Sequence, residues 1–174
     1  MVRAALDRLP QLRLAVSATT RAQRPAETDG VEYWFLTREE FERRVAAGEF
    51  LEWVDYVGNR YGTLRSEIDR IQRDRGLPLL ELELDGALTV KNVVPNAVTL
   101  FVDAPLEELE RRLRERATES AGEIGDRIAL ARKQKELAPR FDHVVENDDR
   151  ERAAVEVVDI VRQELDDAAT MASR

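Results

Sequence analysis

Two hydrophobic periods alternate along the chain, one near 3.6 residues and one of 2. Residues 2–9 carry apolar positions on one side of a helix that stops near Pro10, and Leu12-Arg13-Leu14-Ala15-Val16 predicts a short strand behind it. Residues 31–36 predict a second strand. Thr37 and Glu40 then form a capping-box pattern for a helix that carries Phe41 and Val45 to a stop at Gly48. Residues 50–57 predict a strand with Gly58-Asn59 as its turn, 66–75 a helix ending before Gly76, and 79–84 and 98–102 two further strands. Pro105 suits the first turn of a helix with Leu106, Leu109 and Leu113 on one face. Along it Glu107 and Arg111, Glu108 and Arg112, and Glu110 and Arg114 lie four apart and pair on the exposed side. A helix at 123–137, a short strand at Val144-Val145 and a closing helix at 150–165 follow. That last helix turns Val155, Val158, Val161 and Leu165 inward, and 166–174 form a frayed tail. Strands alternating with helices predict an α/β fold around a parallel sheet, and the closely spaced short strands with one helix at 17–66 predict a small mixed lobe.

Composition narrows the classes. The 174 residues are enough for one domain, and 43% hydrophobic with 36% charged residues fit an ordinary folded chain. The net charge of −8 argues against broad nucleic-acid or anionic-membrane binding, although local arginine clusters still bind small anions. Cysteine is absent, which excludes disulfides, thiolate zinc sites and thiol nucleophiles. The single histidine, His143, excludes a multi-histidine metal site and is expected to be a partly buried residue entering a strand. No apolar stretch approaches the ~20 residues of a membrane span, and the N-terminus has no signal-like run, so a cytoplasmic location is expected.

The densest chemistry lies in Ser17-Ala18-Thr19-Thr20-Arg21-Ala22-Gln23-Arg24-Pro25-Ala26-Glu27, followed by Gly30 and Tyr33. Each guanidinium offers two parallel N–H donors that fit a phosphate, so Arg21 and Arg24 with flanking hydroxyls form either a phosphate clamp or a solvated basic loop. Glu81, Glu83 and Asp85 alternate with Leu80, Leu82 and Leu84, which puts three carboxylates on one face of the predicted strand. They are held there by cations or metal, or they face solvent. Glu52 beside Trp53 reads, by itself, as an exposed charge on a strand.

Taken in order, SATTRxxRxxExxGxxY, Phe50-Leu51-Glu52-Trp53, Gly58-Asn59-Arg60-Tyr61-Gly62-Thr63, the stretch from Arg112 to Ser120, and Asn147-Asp148-Asp149 resemble the guanylate kinases. The likeness covers nearly the whole chain. It implies a P-loop NTPase-like parallel sheet core (1–16, 67–105 and 139–165), a small mixed α+β GMP-binding lobe (17–66), a helical lid (106–138) and a tail (166–174). It also implies phosphoryl transfer from ATP to GMP, giving ADP and GDP, with magnesium accompanying ATP and no metal site within the chain. The implied partners are GMP and ATP, with neither nucleic acid nor membrane. In the resemblance Arg21, Arg24, Tyr33 and Tyr61 hold the GMP phosphate, with Ser17 and Glu27 supporting the loop and Ala26 standing where the family often has glycine. Glu52 and Thr63, beside Gly62 and helped by Glu81, read the base. Arg112, Arg116 and Arg127 match lid arginines that neutralise charge during transfer, while as plain helix residues they would form surface ion pairs. Asn147 resembles a residue near the adenine site, or it caps the final helix. The family commonly carries Asp-Val-Gln where this chain has Glu83-Leu84-Asp85, so no role beside metal and phosphates is carried over to Glu83.

The family also opens with a strand and a Gly-rich loop ending in Gly-Lys-Ser/Thr, a sequence that does not occur in these 174 residues. Position 1 falls where the family is already in the helix behind that loop, so the first strand is expected to be absent. Three explanations are open: a truncated or mis-started guanylate kinase, a non-catalytic GMP- or protein-binding module, or a half-enzyme completed by another chain. The first is expected, because the lid arginines accompany the base-reading residues.

Overall fold

A computed structural model describes residues 1–116 and 121–172. In chain order its elements are α1 (Val2–Arg8), β1 (Leu12–Leu14), β2 (Ala18–Thr19), β3 (Trp34–Phe35), α2 (Arg38–Ala46), β4 (Phe50–Tyr56), β5 (Asn59–Leu64), α3 (Arg65–Arg73), β6 (Leu77–Leu79) and α4 (Leu84–Val93), followed by β7 (Leu100–Asp103), α5 (Leu106–Arg116), α6 (Ala121–Glu136), β8 (His143–Glu146) and α7 (Arg150–Ala172). They fall into two compact units, one of Leu9–Asn96 and one of Met1–Arg8 with Ala97–Arg174. No helix among the described residues is long and apolar enough to cross a membrane.

In the unit of residues 9–96, β1 runs parallel to β6, with Leu12 opposite Leu77 and Leu14 opposite Leu79. A second sheet has the order β3-β2-β5-β4, in which β2 is parallel to β3 and antiparallel to β5, and β5 is antiparallel to β4. Its core is Ala18, Phe41, Phe50 and Leu64, with Trp34, Leu36 and Val45 packed against them. The Phe41 and Phe50 rings stack at 4.3 Å and fix α2 on β4. Thr37 caps α2 as its sequence predicts, accepting a hydrogen bond from the Glu40 N–H. The Glu40 carboxylate does not reach back to complete the box. Arg43 and Arg44 hold it instead and bring its pKa down to about 2.

Several elements differ from the sequence reading. Of the strand expected at 31–36 only Trp34–Phe35 is extended, because Gly30 donates to the Tyr33 carbonyl and closes a turn ahead of it. The strand expected at 79–84 ends at Leu79. Its partner β1 stops at Leu14 and the chain then enters β2, so residues from Leu80 onward have no ladder to join, and α4 begins at Leu84. Glu81, Glu83 and Asp85 therefore do not share a strand face. Glu81 and Asp85 are exposed, while Glu83 occupies the α4 N-cap position, where burial pushes its carboxyl up. The β4–β5 turn also sits one residue early: Tyr56 pairs with Asn59, leaving Val57 (φ +46°) and Gly58 (φ +76°) as a two-residue loop. Positive φ at both positions is the type I′ geometry that suits strand twist.

In the other unit β7 runs parallel to β8 from Leu100 opposite His143 to Asp103 opposite Glu146. Thr99 and Asp142 close the start of this pair through mutual side-chain and backbone hydrogen bonds. His143 enters β8 half-buried as expected, its Nε2 2.6 Å from Glu164 Oε1. Ala5, Val145, Ala153, Ala154, Val157 and Val158 are buried, and α1 packs on α7. Val155 is exposed, not inward, and α7 continues without break to Ala172 where a frayed tail was expected, because residues 165–172 contain no glycine or proline to stop it. Glu110 pairs with Arg114, whereas Arg111 takes Glu108, three residues away.

Val57 is the strained position of the hairpin. A β-branched residue is disfavoured at positive φ, and the side chain is 78% exposed, so it gains no packing in return. Replacing it with Asn, which tolerates that conformation, is expected to stabilise the chain by about 1 kcal/mol and raise the melting temperature by roughly 2–4 °C in a thermal scan.

Candidate functional site

The loop after β2 is organised by one carboxylate. Glu27 Oε1 accepts from Arg21 Nη2 at 2.8 Å, and its Oε2 accepts from the Arg24 backbone N–H at 2.8 Å. Its carbonyl takes the Gln23 amide at 2.6 Å, and its own N–H returns to the Arg24 carbonyl. Arg21, and then the Arg24 N–H, hold the Glu27 carboxyl below its usual range. With Glu27 fixing one end, the Arg21 guanidinium lies 5.4 Å from the Tyr33 ring centroid and 5.7 Å from that of Phe35.

Tyr33 and Tyr61 meet edge to face at 5.9 Å, and Tyr61 stands beside the Arg21 guanidinium. Burial pushes the Tyr33 phenol up, the charges of Glu81 and Glu27 add to this, and Arg21 opposes it. Arg24 keeps its side chain exposed. Ser17 lies half-buried at the entrance of β2, its carbonyl accepting the Trp34 N–H. Arg21, Tyr33 and Tyr61 thus converge, Glu27 braces them, and Arg24 projects beside them.

On β5, Tyr61 and Thr63 are two residues apart and therefore share a face about 7 Å from each other. Across the ladder Thr63 is opposite Glu52 and Tyr61 opposite Val54. Glu52 and Thr63 are 4% and 1% exposed. Among the described residues neither Glu52 Oε1 nor Thr63 Oγ1 has a hydrogen-bond partner. Burial pushes the Glu52 carboxyl up, opposed by the neighbouring hydroxyl and backbone of Thr63. Gly62 between Tyr61 and Thr63 is a matter of space: a Cβ there would lie 2.7 Å from the Glu52 carbonyl oxygen and 2.8 Å from Phe50 Cδ1 and Trp53 Cβ.

Two supporting residues were given no individual role by the sequence. Thr19, fully buried, donates its hydroxyl to the Arg60 carbonyl and accepts the Arg21 N–H, tying the clamp loop to β5. Glu67 accepts the Val16 N–H at 3.1 Å and pairs with Arg70 at 2.8 Å, and this anchors the exit of β1 on α3. The spacing of Glu67 and Arg70 on one helix was the available signal, but it does not distinguish a buried anchor from a surface pair.

Arg112, Arg116, Arg127 and Asn147 belong to the other unit. The first two lie in α5 and the third in α6, with side chains outside the described residues. Asn147 follows β8 half-buried and donates its N–H to the Asp103 carbonyl, while Asp149 performs the capping of α7 by accepting the N–H groups of Glu151 and Arg152. A shallow groove of about 520 Å³ along α7, lined by Val155, Asp159 and Ile160 among others, contains none of the candidate residues.

Within residues 9–96 these features form a mixed α/β candidate site: an arginine–tyrosine cluster next to a buried carboxylate oxygen and a buried hydroxyl that have no hydrogen-bond partner among the described residues. The family model for guanylate kinase matches residues 2–164. The guanylate kinase of Rubrobacter xylanophilus is 48% identical over 164 residues, covering 94% of this chain and 86% of that protein. The guanylate kinase of Symbiobacterium thermophilum is 42% identical over 163 residues, 93% of this chain and 77% of its own length. Among solved structures, guanylate kinase from Anaplasma phagocytophilum superposes with a TM-score of 0.75 at 29% identity, covering 93% of this chain and 81% of that one. The chain belongs to the guanylate kinase family.

The raised Glu52 carboxyl has a stability consequence of definite sign. The folded state holds this proton more tightly than the unfolded state, so the contribution of Glu52 to stability is fully present below the unfolded value and is lost as pH rises through the folded one. Glu52→Gln does not titrate. Its melting temperature is expected to match the parent near pH 4 and to exceed it by a few degrees at pH 7.5, on the order of 1 kcal/mol, in parallel scans across that range.

Proposed function

We propose that this chain binds GMP as the acceptor of a phosphoryl group from ATP, giving GDP and ADP. The observation that carries the base choice is the buried pair Glu52 Oε1 and Thr63 Oγ1, two polar atoms with no partner among the described residues. Such atoms cost free energy unless a ligand satisfies them. Guanine presents N1–H and a 2-amino group to a carboxylate and O6 to a hydroxyl. Adenine presents an unprotonated N1, which would meet the carboxylate lone pair to lone pair. About 7 Å away along β5, Tyr61 begins the phosphate clamp with Arg21, Arg24 and Tyr33, a separation suited to a nucleoside monophosphate laid along the strand.

In this reading Glu27 and Ser17 keep the clamp loop in place, Gly62 lets β5 approach β4, and Glu81 adds an acceptor near the base. Arg112, Arg116 and Arg127 neutralise charge on the transferring phosphoryl, and Asn147 contributes to the ATP side. Among the described residues no group of three or more histidine, cysteine, aspartate or glutamate side chains is placed to hold a metal. Magnesium would accompany the phosphates of ATP, and none of these roles runs through it. Likewise, no residue of 1–174 is assigned to the outer phosphates of ATP, because no Gly-Lys-Ser/Thr loop occurs among them.

Calorimetric titration of the 174-residue chain is expected to show GMP bound about 10²-fold more tightly than AMP, with Arg24→Ala weakening both by roughly tenfold or more. Equal affinities in the parent chain would overturn the assignment of Glu52. ADP release with ATP, magnesium and GMP is expected from the chain carrying a Gly-rich Gly-Lys-Ser loop ahead of it, and lost there on Arg127→Ala with GMP affinity retained. A loop-bearing chain that binds GMP without turnover would favour a non-catalytic GMP-binding module.

A further inference from the structure

Gly86 lies in the first turn of α4, on the side packed against β4, and is buried. Glycine is a poor choice for a helix by itself, costing about 1 kcal/mol relative to alanine. Nor is it needed for backbone conformation, since Gly30, Gly48 and Gly58 are the glycines with positive φ. What it provides is space. A Cβ on Gly86 would lie 2.6 Å from Glu52 Oε2 and 3.3 Å from Glu52 Cδ, closer than non-bonded carbon and oxygen atoms approach. The Glu52 side chain thus reaches across from β4 and ends against bare helix backbone. There, Oε2 occupies the room a side chain would fill, and Oε1 is left without a partner among the described residues. Glu83, at the N-cap, makes no side-chain hydrogen bond to the first turn.

We infer that Gly86 is a specificity-positioning residue: the absent side chain sets where the Glu52 carboxylate rests, and with it the discrimination of guanine from adenine. This inference rests on the GMP-binding reading and adds a residue that touches neither base nor phosphate. It separates two parts of the pocket. The clamp residues Arg21, Arg24, Tyr33 and Tyr61 come from the loop after β2, the entry to β3 and β5, whereas the base-reading carboxylate rests against α4, so a methyl group at position 86 should affect base choice and leave phosphate binding as it is.

The test is a double-mutant cycle read by calorimetric titration with GMP and AMP, with a melting scan of every variant. Wild type is titrated first: a chain that does not prefer GMP refutes the underlying reading, independently of Gly86. Given that preference, Gly86→Ala is expected to weaken GMP about tenfold or more while AMP changes by less than about twofold. In a Glu52→Ala background, where the obstructed group is gone, Gly86→Ala is expected to change GMP affinity by less than about twofold. Unchanged GMP affinity in folded Gly86→Ala overturns the proposal, as does an equal loss in both backgrounds or for both nucleotides. Should Gly86→Ala alone fail to fold, recovery of folding in the double variant supports the contact with Glu52, and failure of the double variant as well overturns it.

Discussion

The antiparallel register of β4 and β5 is the constraint on which the pocket depends. It places Glu52 opposite Thr63 and Val54 opposite Tyr61, so the groups proposed to read the base and to hold the phosphate come from pairs two residues apart on one ladder. A shift of one residue would turn Thr63 and Tyr61 to the opposite face and bring the core residue Leu64 out of its cluster with Phe41 and Phe50. The register is held by that cluster, by the two-residue turn at Val57-Gly58 and by the close backbone approach that only glycine permits at position 62. Packing and recognition are therefore set by the same pairing.

The two halves of the pocket follow opposite electrostatic strategies. In the clamp loop, Glu27 is satisfied by Arg21 and by the Arg24 N–H, and the loop is preorganised before any anion arrives. At the proposed base end, Glu52 is left buried and incompletely satisfied, which weakens the free fold as pH rises and, in the GMP-binding reading, keeps its hydrogen-bonding capacity for the ligand. A fully paired Glu52 would stabilise the apo chain and discriminate nothing. Sites of this kind trade stability for selectivity.

Much of the site was legible from the chain because its residues sit at short, fixed spacings within one hairpin and one loop. Arg21, Glu27, Tyr33 and Tyr61 are brought together as the family pattern implies, and the Thr37 cap and the Leu12 strand follow from local chemistry. What was not legible depends on partners distant in sequence. The alternating leucines at 80, 82 and 84 mimic a strand, and only the early end of β1 shows that no ladder is available to them. Thr19 reads as one more hydroxyl of the clamp loop, and Glu67 as an ordinary surface residue, until the carbonyl of Arg60 and the N–H of Val16 are known to face them. Gly86 reads as a helix defect until Glu52 is found against it. The turn at Val57 was misplaced because asparagine at 59 is the better turn former, yet pairing with Tyr56 draws it into β5.

The central claim is that Glu52 is held in an unsatisfied state which guanine relieves. Carboxyl chemical shifts of isotopically labelled glutamates, followed by NMR through a pH titration with and without saturating GMP, measure this directly. Because the guanine N1–H and 2-amino groups favour the ionised carboxylate, GMP is expected to lower the Glu52 pKa, whereas AMP at saturation should leave it unchanged or raise it. A Glu52 pKa that GMP does not move, or that GMP and AMP move alike, would contradict the account.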